Sequence, residues 1–243
     1  MMLMVSVQDL EEAKQAVIGR ADIVDVKNLQ ETLIGANFPP VIKRVREAFP
    51  KEIHVSVTLG AVPNQVGTVA LAVYGAAMLN ATSVKVGFVN TDYKTALDIL
   101  VESKKAIEGT NTKLIAATFA DSHLYGGLDP KSVISLAKES KSDGMLIDTL
   151  TKDGRNLFDF MDENTLKSMV DEGKELMMST ALSGSLKIGD FDELVRINPD
   201  IVGVRGAACS DGDRYGGKIA SSAVRRLKDE LERRISGELD VYA

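Results

Sequence analysis

The sequence predicts an α/β fold, a single closed (β/α)8 TIM barrel, and three observations carry that expectation. Eight short apolar runs alternate with helical patterns along the chain. No Pro/Gly/Ser-rich linker, low-complexity tract or break in composition divides it. Its 243 residues suit one such barrel, typically about 250 residues long. Parallel neighbours need crossover helices, so strict alternation implies a parallel sheet. At this length closure is favoured over an open doubly wound sheet. One domain over residues 1–243 is therefore expected.

The strands are read at 3–7 (LMVSV), 22–27 (DIVDVK), 53–58 (IHVSVT) and 83–87 (SVKVG). Four more are read at 113–119 (KLIAATF), 144–149 (GMLIDT), 175–181 (ELMMSTA) and 201–206 (IVGVRG). Most are rich in the β-branched side chains that suit a pleated surface. Among the helices, QDLEEAKQAVIGR repeats apolar residues at Leu10, Ala13 and Val17. PPVIKRVREAF opens on Pro39 and Pro40, whose fixed φ suits a first helical turn. VALAVYGAAML falls short of the roughly 18 residues of a membrane span and reads as a buried helix. DYKTALDILVESKKAIEG places Ala96, Leu100, Ser103 and Ile107 on one face and stops at Gly109, a common helix-ending residue. In KIASSAVRRLKDELERRI, Ile219, Ala223, Leu227 and Leu231 form one stripe. The echo between HLYGGLDP and DRYGGKIA is too short to establish a repeat.

With 44% hydrophobic and 26% charged residues, the chain reads as soluble and globular. A net charge of −6 argues against nucleic-acid binding through a broad basic surface, but leaves room for a small anion at a local Lys/Arg cluster. A lone cysteine, Cys209, excludes an internal disulfide and fits a cytoplasmic protein. With only His54, His123 and Cys209 available, a His/Cys zinc site cannot be filled without carboxylates. No metal, cofactor or membrane partner is expected, and MMLMVSV is too short and uncharged for a secretory signal.

In such barrels the active site lies at the C-terminal ends of the strands. Residues two apart share a face, so Asp25 and Lys27 lie together, opposite Val24 and Val26. An acid and an amine there are costly if buried and unpaired, so they pair for structure or form a site. Strand four offers Lys85; strand six offers Asp148, with Lys152 in the following loop. Interior layers come from alternate strands, so residues of strands two, four and six converge in one layer. A lysine amine titrates near 10.4, leaving only about one in 2,500 neutral at pH 7. A second lysine or apolar walls lower that value, and a drop of about 3 units costs roughly 4 kcal/mol. The neutral amine attacks a carbonyl to form a Schiff base, while Asp25 and Asp148 orient amines or move protons. Two lysines, two carboxylates and no metal set fit iminium-forming lyase chemistry. The plain alternative is lysines stretching to water and a weak Asp25–Lys27 surface pair.

The loops after strands seven and eight form the frequent phosphate site of this fold, and here read ALSGSLKIGD and VRGAACSDGDRYGGK. Small residues let backbone N–H groups approach an anion, which makes Ser183, Gly184, Ser185, Arg205 and Gly206 candidates, with ordinary turn chemistry as the alternative. GDRYGGKI nearly fits a P-loop, but Ile219 stands where Ser or Thr should bind Mg²⁺, so an ATP site is rejected. His54 reads as an inward-facing structural histidine. His123 is placed in a loop without a pairing. Cys209 and the Met177-Met178 pair read as packing residues.

The segments ADIVDVKNLQETLIGANFP, VKVGF and LIDTLTKDGRNLFDF add a resemblance. The chain resembles the (5-formyl-3-furyl)methyl phosphate synthase family of methanofuran biosynthesis over essentially its whole length. DVKNLQ and DTLTKDGRNLFDF are more specific than any short motif, and the matching lysines show no departure. The resemblance implies a (β/α)8 barrel and a metal-independent carbon–oxygen lyase acting on phosphates. It joins two molecules of glyceraldehyde 3-phosphate with loss of phosphate and water. It further implies that Lys27 is the Schiff-base lysine and Lys85 the proton acceptor, with Asp25, Asp148 and Lys152 also at the site. Strand parity alone does not name the substrate. Another Schiff-base aldolase or dehydratase acting on a sugar phosphate, a metal-free isomerase and a non-catalytic phosphate-ligand barrel remain as alternatives. A triose phosphate partner and association into a homo-oligomer are expected.

Overall fold

Runs of Val, Ile and Leu form β1 (Met2–Val7), β2 (Ile23–Val26), β3 (His54–Val62) and β4 (Ser83–Phe88). They continue as β5 (Lys113–Phe119), β6 (Gly144–Asp148), β7 (Ser179–Leu182) and β8 (Ile201–Val204). The helices between them are α1 (Leu10–Ile18), α2 (Pro39–Glu47), α3 (Val66–Met78), α4 (Tyr93–Ala106), α5 (Ser132–Glu139), α6 (Glu163–Glu175), α7 (Phe191–Ile197) and α8 (Ser221–Ser236). This computed structural model describes residues 1–30 and 35–237; residues 31–34 of the long ADIVDVKNLQETLIGANFP segment lie outside them. The strands follow chain order around a closed barrel, β1 pairing in parallel with both β2 and β8. The predicted barrel is the observed one.

Local chemistry sets the helix starts. Asp9, Asp92 and Asp162 cap α1, α4 and α6 by accepting from the backbone N–H groups of Glu12, Thr95 and Thr165. Prolines open α2. The strand read at 175–181 starts later, at Ser179, because α6 runs on through Glu175. Met177 then turns the chain with a left-handed φ of 60° and is 91% exposed, so only Met178 of that pair fills the core. α3 buries Val69, Val73, Ala76 and Ala77 but exposes Leu71, Tyr74 and Met78, and is a half-buried rather than a buried helix. Among the described residues, no helix is long and apolar enough to cross a membrane.

The apolar core is divided by the barrel wall. Outward strand residues such as Val5, Val24, Val57 and Val86 pack with Ala13, Ile42, Val73 and Leu100 of the helices. Inside the barrel lies a separate small apolar cluster, Ala117, Leu146 and Ala181, with Ile115 and Ile201 beside them. The β1–β4 side is instead lined by buried polar groups, among them Ser6, Asp25, Ser56, Thr58, Ser83 and Lys85. Registers bring these together: Ser6 lies beside Asp25, Asp25 beside Ser56, and Thr58 beside Lys85. A bulge between Thr58 and Gly60 bends β3 just beyond that layer.

Candidate active site

Asp25 is the hub of the polar layer. Its side chain is fully buried, with Lys85 Nζ 2.7 Å from Oδ1 and Lys27 Nζ 3.2 Å from Oδ2. The Thr58 hydroxyl donates to it at 2.9 and 3.2 Å, and the Ser6 hydroxyl donates at 3.2 Å. Burial alone would push this carboxyl up, but Lys85 and Lys27 hold it well below the usual carboxylate range. Asp25 is therefore an anion at neutral pH. Burial pushes the Lys85 amine below its ordinary range, and Asp25 opposes that shift. Lys85 Nζ also sits 3.3 Å from Met4 Sδ, a weak acceptor.

A second pair lies at the end of β6. Lys152 Nζ is 3.0 Å from Asp148 Oδ1 and donates to Thr149 Oγ1 at 2.9 Å. Burial opposes ionisation of Asp148, yet Lys152, Lys27 and Arg214 bring its carboxyl down to about 2. Burial lowers the Lys152 amine against the pull of Asp148. The loop that carries Lys152 is tied by Asp121, whose carboxylate accepts from Leu150 N at 2.8 Å and Thr151 N at 2.6 Å. Sequence reasoning missed Asp121, although an acid directly beyond a barrel strand was a usable signal.

Two cavities meet at these groups. The outer one, about 440 Å³, is bordered by Lys27, Asp148, Lys152, Ser183, Ser185 and Arg214 among others, a size suited to small-molecule binding. A narrow inner one of about 20 Å³ is bordered by Lys27, Thr58, Lys85, Phe119 and Asp148. Of the three lysine amines at this site, Lys27 alone borders both. All five predicted catalytic residues thus converge on one place.

The loop candidates divide. Ser183, Ser185 and Gly206 border the outer cavity. Gly184 does not: its φ is 123°, and a Cβ there would lie 3.0 Å from Thr149 Cγ2 and 3.2 Å from Thr149 N, so it serves close loop packing. Arg205 borders the cavity, but its guanidinium is committed elsewhere. It makes two bonds to the Glu12 carboxylate, at 2.8 and 3.1 Å, one to Ser6 O at 2.9 Å and one to Arg214 O at 2.9 Å. Four of its five N–H donors are used inside the protein, which makes it a structural tie rather than the expected phosphate ligand. Lys187 and Arg214, not singled out from sequence, also line the cavity. The glycines of GDRYGGKI serve a tight acidic turn: a Cβ on Gly217 would lie 2.2 Å from Asp211 Oδ1.

His54 Nε2 lies 2.9 Å from Ser83 Oγ. Burial, with Lys85 and Arg46 adding to it, lowers the imidazole to about 4. The unfolded chain binds this proton near pH 6.5 and the folded one only near 4, so stability is lost as the pH is lowered through that window. Between pH 7 and 4.5 the wild type is expected to lose about 2–3 kcal/mol more than His54→Gln. Urea unfolding at the two pH values checks this, and equal losses would refute it. His123 sits exposed on a 3-10 turn, its ring 6.0 Å from that of Phe160. Cys209 is buried, its Sγ 3.5 Å from Arg205 O.

A family model described as 4-HFC-P synthase matches residues 3–228. The chain is 45% identical over 230 residues to a (5-formylfuran-3-yl)methyl phosphate synthase of Methanococcus maripaludis (strain C7), covering 93% of this chain and 98% of that one. It is 42% identical over 232 residues to the Methanocaldococcus jannaschii protein of the same name, covering 94% and 99%. Among solved structures, 3-hexulose-6-phosphate synthase from Salmonella typhimurium superposes with a TM-score of 0.66 at 18% identity, covering 96% of this chain and 99% of that one. That last likeness concerns the fold alone.

Proposed function

The chain belongs to the 4-HFC-P synthase family, and on that premise we propose that it condenses two molecules of glyceraldehyde 3-phosphate into (5-formyl-3-furyl)methyl phosphate. One phosphate and two waters leave, which balances every atom. The step serves methanofuran biosynthesis and runs through a Schiff base on Lys27, without a metal, in the cytoplasm. The observation that carries this reading is the position of Lys27, which borders the open cavity and the inner cavity at once.

In this reading Lys27 gives up a proton and its free amine then attacks the aldehyde carbon of the first triose. A carbinolamine forms, and water leaves to give an iminium. The iminium acidifies the adjacent C–H, and Lys85, below its ordinary range because of burial, takes that proton. The resulting enamine either expels phosphate or attacks the aldehyde carbon of the second triose. Asp25 stays anionic and holds both amines in place. Asp148 and Lys152, paired at 3.0 Å, relay protons to the leaving hydroxyls. Ring closure, dehydration and release of Lys27 by water yield the aromatic furan, which makes the late steps strongly downhill.

Borohydride reduction in the presence of glyceraldehyde 3-phosphate, followed by peptide mass spectrometry, tests this directly. A substrate-derived mass is expected on the peptide containing Lys27. A mass on Lys85 or Lys152 would keep the lyase class and reverse the roles. No adduct, with substrate shown to bind, would replace this reading with an isomerase or a binding barrel.

A further inference from the structure

We propose that Arg214 binds the phosphate of the substrate held at Lys27 and selects phosphorylated over unphosphorylated aldehydes. The proposal rests on the reading above and adds a specificity residue to it.

Arg214 and Arg205 both border the outer cavity, yet their guanidinium groups are in opposite situations. Arg205 is used up by Glu12, Ser6 O and Arg214 O. Arg214 has a buried Nε with no hydrogen-bond partner among the described residues. A buried donor left unsatisfied is costly, and native structures leave few of them without a role. A guanidinium with an open Nε–H matches a phosphate dianion in charge and planar geometry. The Arg214 carbon Cζ lies 5.9 Å from the centre of the Tyr215 ring.

The support behind Arg214 is also built. Its backbone carbonyl accepts from Arg205 Nε at 2.9 Å, and Arg205 is itself held bidentately by Glu12. This chain, from α1 through Arg205, sets where the loop presents Arg214. The hydroxyl-bearing Ser183 and Ser185 line the same cavity, as further donors to an anion. Cations outnumber carboxylates in its wall, Lys152, Lys187 and Arg214 among them, although the whole chain carries a net charge of −6. An anionic substrate is thus drawn to this point of the surface rather than to the protein at large.

The test compares wild type, Arg214→Gln and Arg214→Lys with glyceraldehyde 3-phosphate and with glyceraldehyde, reading borohydride-trapped Lys27 adduct against aldehyde concentration. Arg214→Gln should raise the concentration needed for half-maximal trapping of the phosphorylated aldehyde by about 30- to 100-fold. The value for glyceraldehyde should stay within about twofold, and Arg214→Lys should recover part of the loss. Equal losses with both aldehydes, or no loss with either, would overturn the assignment. A calorimetric titration with inorganic phosphate involves no covalent step and separates the two proposals. If wild type binds phosphate and Arg214→Gln binds it at least about tenfold more weakly, Arg214 keeps its role even if Lys27 traps nothing. If both bind phosphate equally, Arg214 loses it whatever Lys27 does.

Discussion

Lys27→Ala is expected to abolish furan formation, by about 10⁴-fold or more in kcat, while the barrel still folds. The two consequences have different physical origins. Activity disappears because no other amine borders both cavities, so the aldehyde has no nucleophile where the proton acceptor can reach its product. The fold survives because Asp25 keeps Lys85 at 2.7 Å and the hydroxyls of Thr58 and Ser6. Loss of one partner and a small void should cost about 1–3 kcal/mol. Product absorbance and thermal unfolding, measured on the same preparation, check both parts. Lys27→Arg separates charge from nucleophilicity, since it restores the cation beside Asp25 without an amine able to form an imine. It should recover stability and no activity. Near-normal product formation by a folded Lys27→Ala protein would sink the mechanism.

Asp25→Asn is expected to be the most damaging single change to stability at this site, costing about 3–5 kcal/mol at pH 7. It removes the nearest counter-charge of the Lys27 and Lys85 side chains and leaves the more distant Asp148 as their remaining anion, inside walls that Asp25 now makes tolerable. The loss should depend on pH in a defined direction. Without Asp25, the folded state holds the Lys85 proton less tightly still, while lysines of the unfolded chain titrate near 10.4. Between those values the unfolded state binds more protons, so stability rises with pH. The gap between variant and wild type should therefore be widest near pH 7 and narrow toward pH 10. Guanidinium unfolding across that range reads it, and a gap independent of pH would show that Asp25 acts by packing rather than by charge. Turnover should fall as well, by about 10²- to 10³-fold, because both amines lose the anchor that positions them.

Much of this is legible in the chain alone. Strand and helix periods are local properties, and eight repeats of them leave few closed parallel arrangements. The period of two along a strand placed Asp25 with Lys27, and the alternate-strand rule placed Lys85 and Asp148 with them. Both expectations hold because side-chain direction on a strand does not depend on distant residues. The parity argument brought these side chains to one place, and the resemblance carried by DVKNLQ and DTLTKDGRNLFDF pointed to the family.

What only the tertiary structure decided is who pairs with whom. Arg205 looked as suitable for phosphate as any arginine in the β8 loop, until α1 brought Glu12 to it across 193 residues of sequence. Asp121 ties a loop about 30 residues further on. Met177 left the core because α6 persisted past Glu175, which shifted the start of β7. Periodicity and propensity act over a few neighbouring residues, so sequence determined the barrel and the face on which the chemistry lies. A charge pair depends on ångström separations between different βα units, which exist only once the barrel closes. Closure therefore decided which amine borders both cavities and which arginine Nε lacks a partner among the described residues.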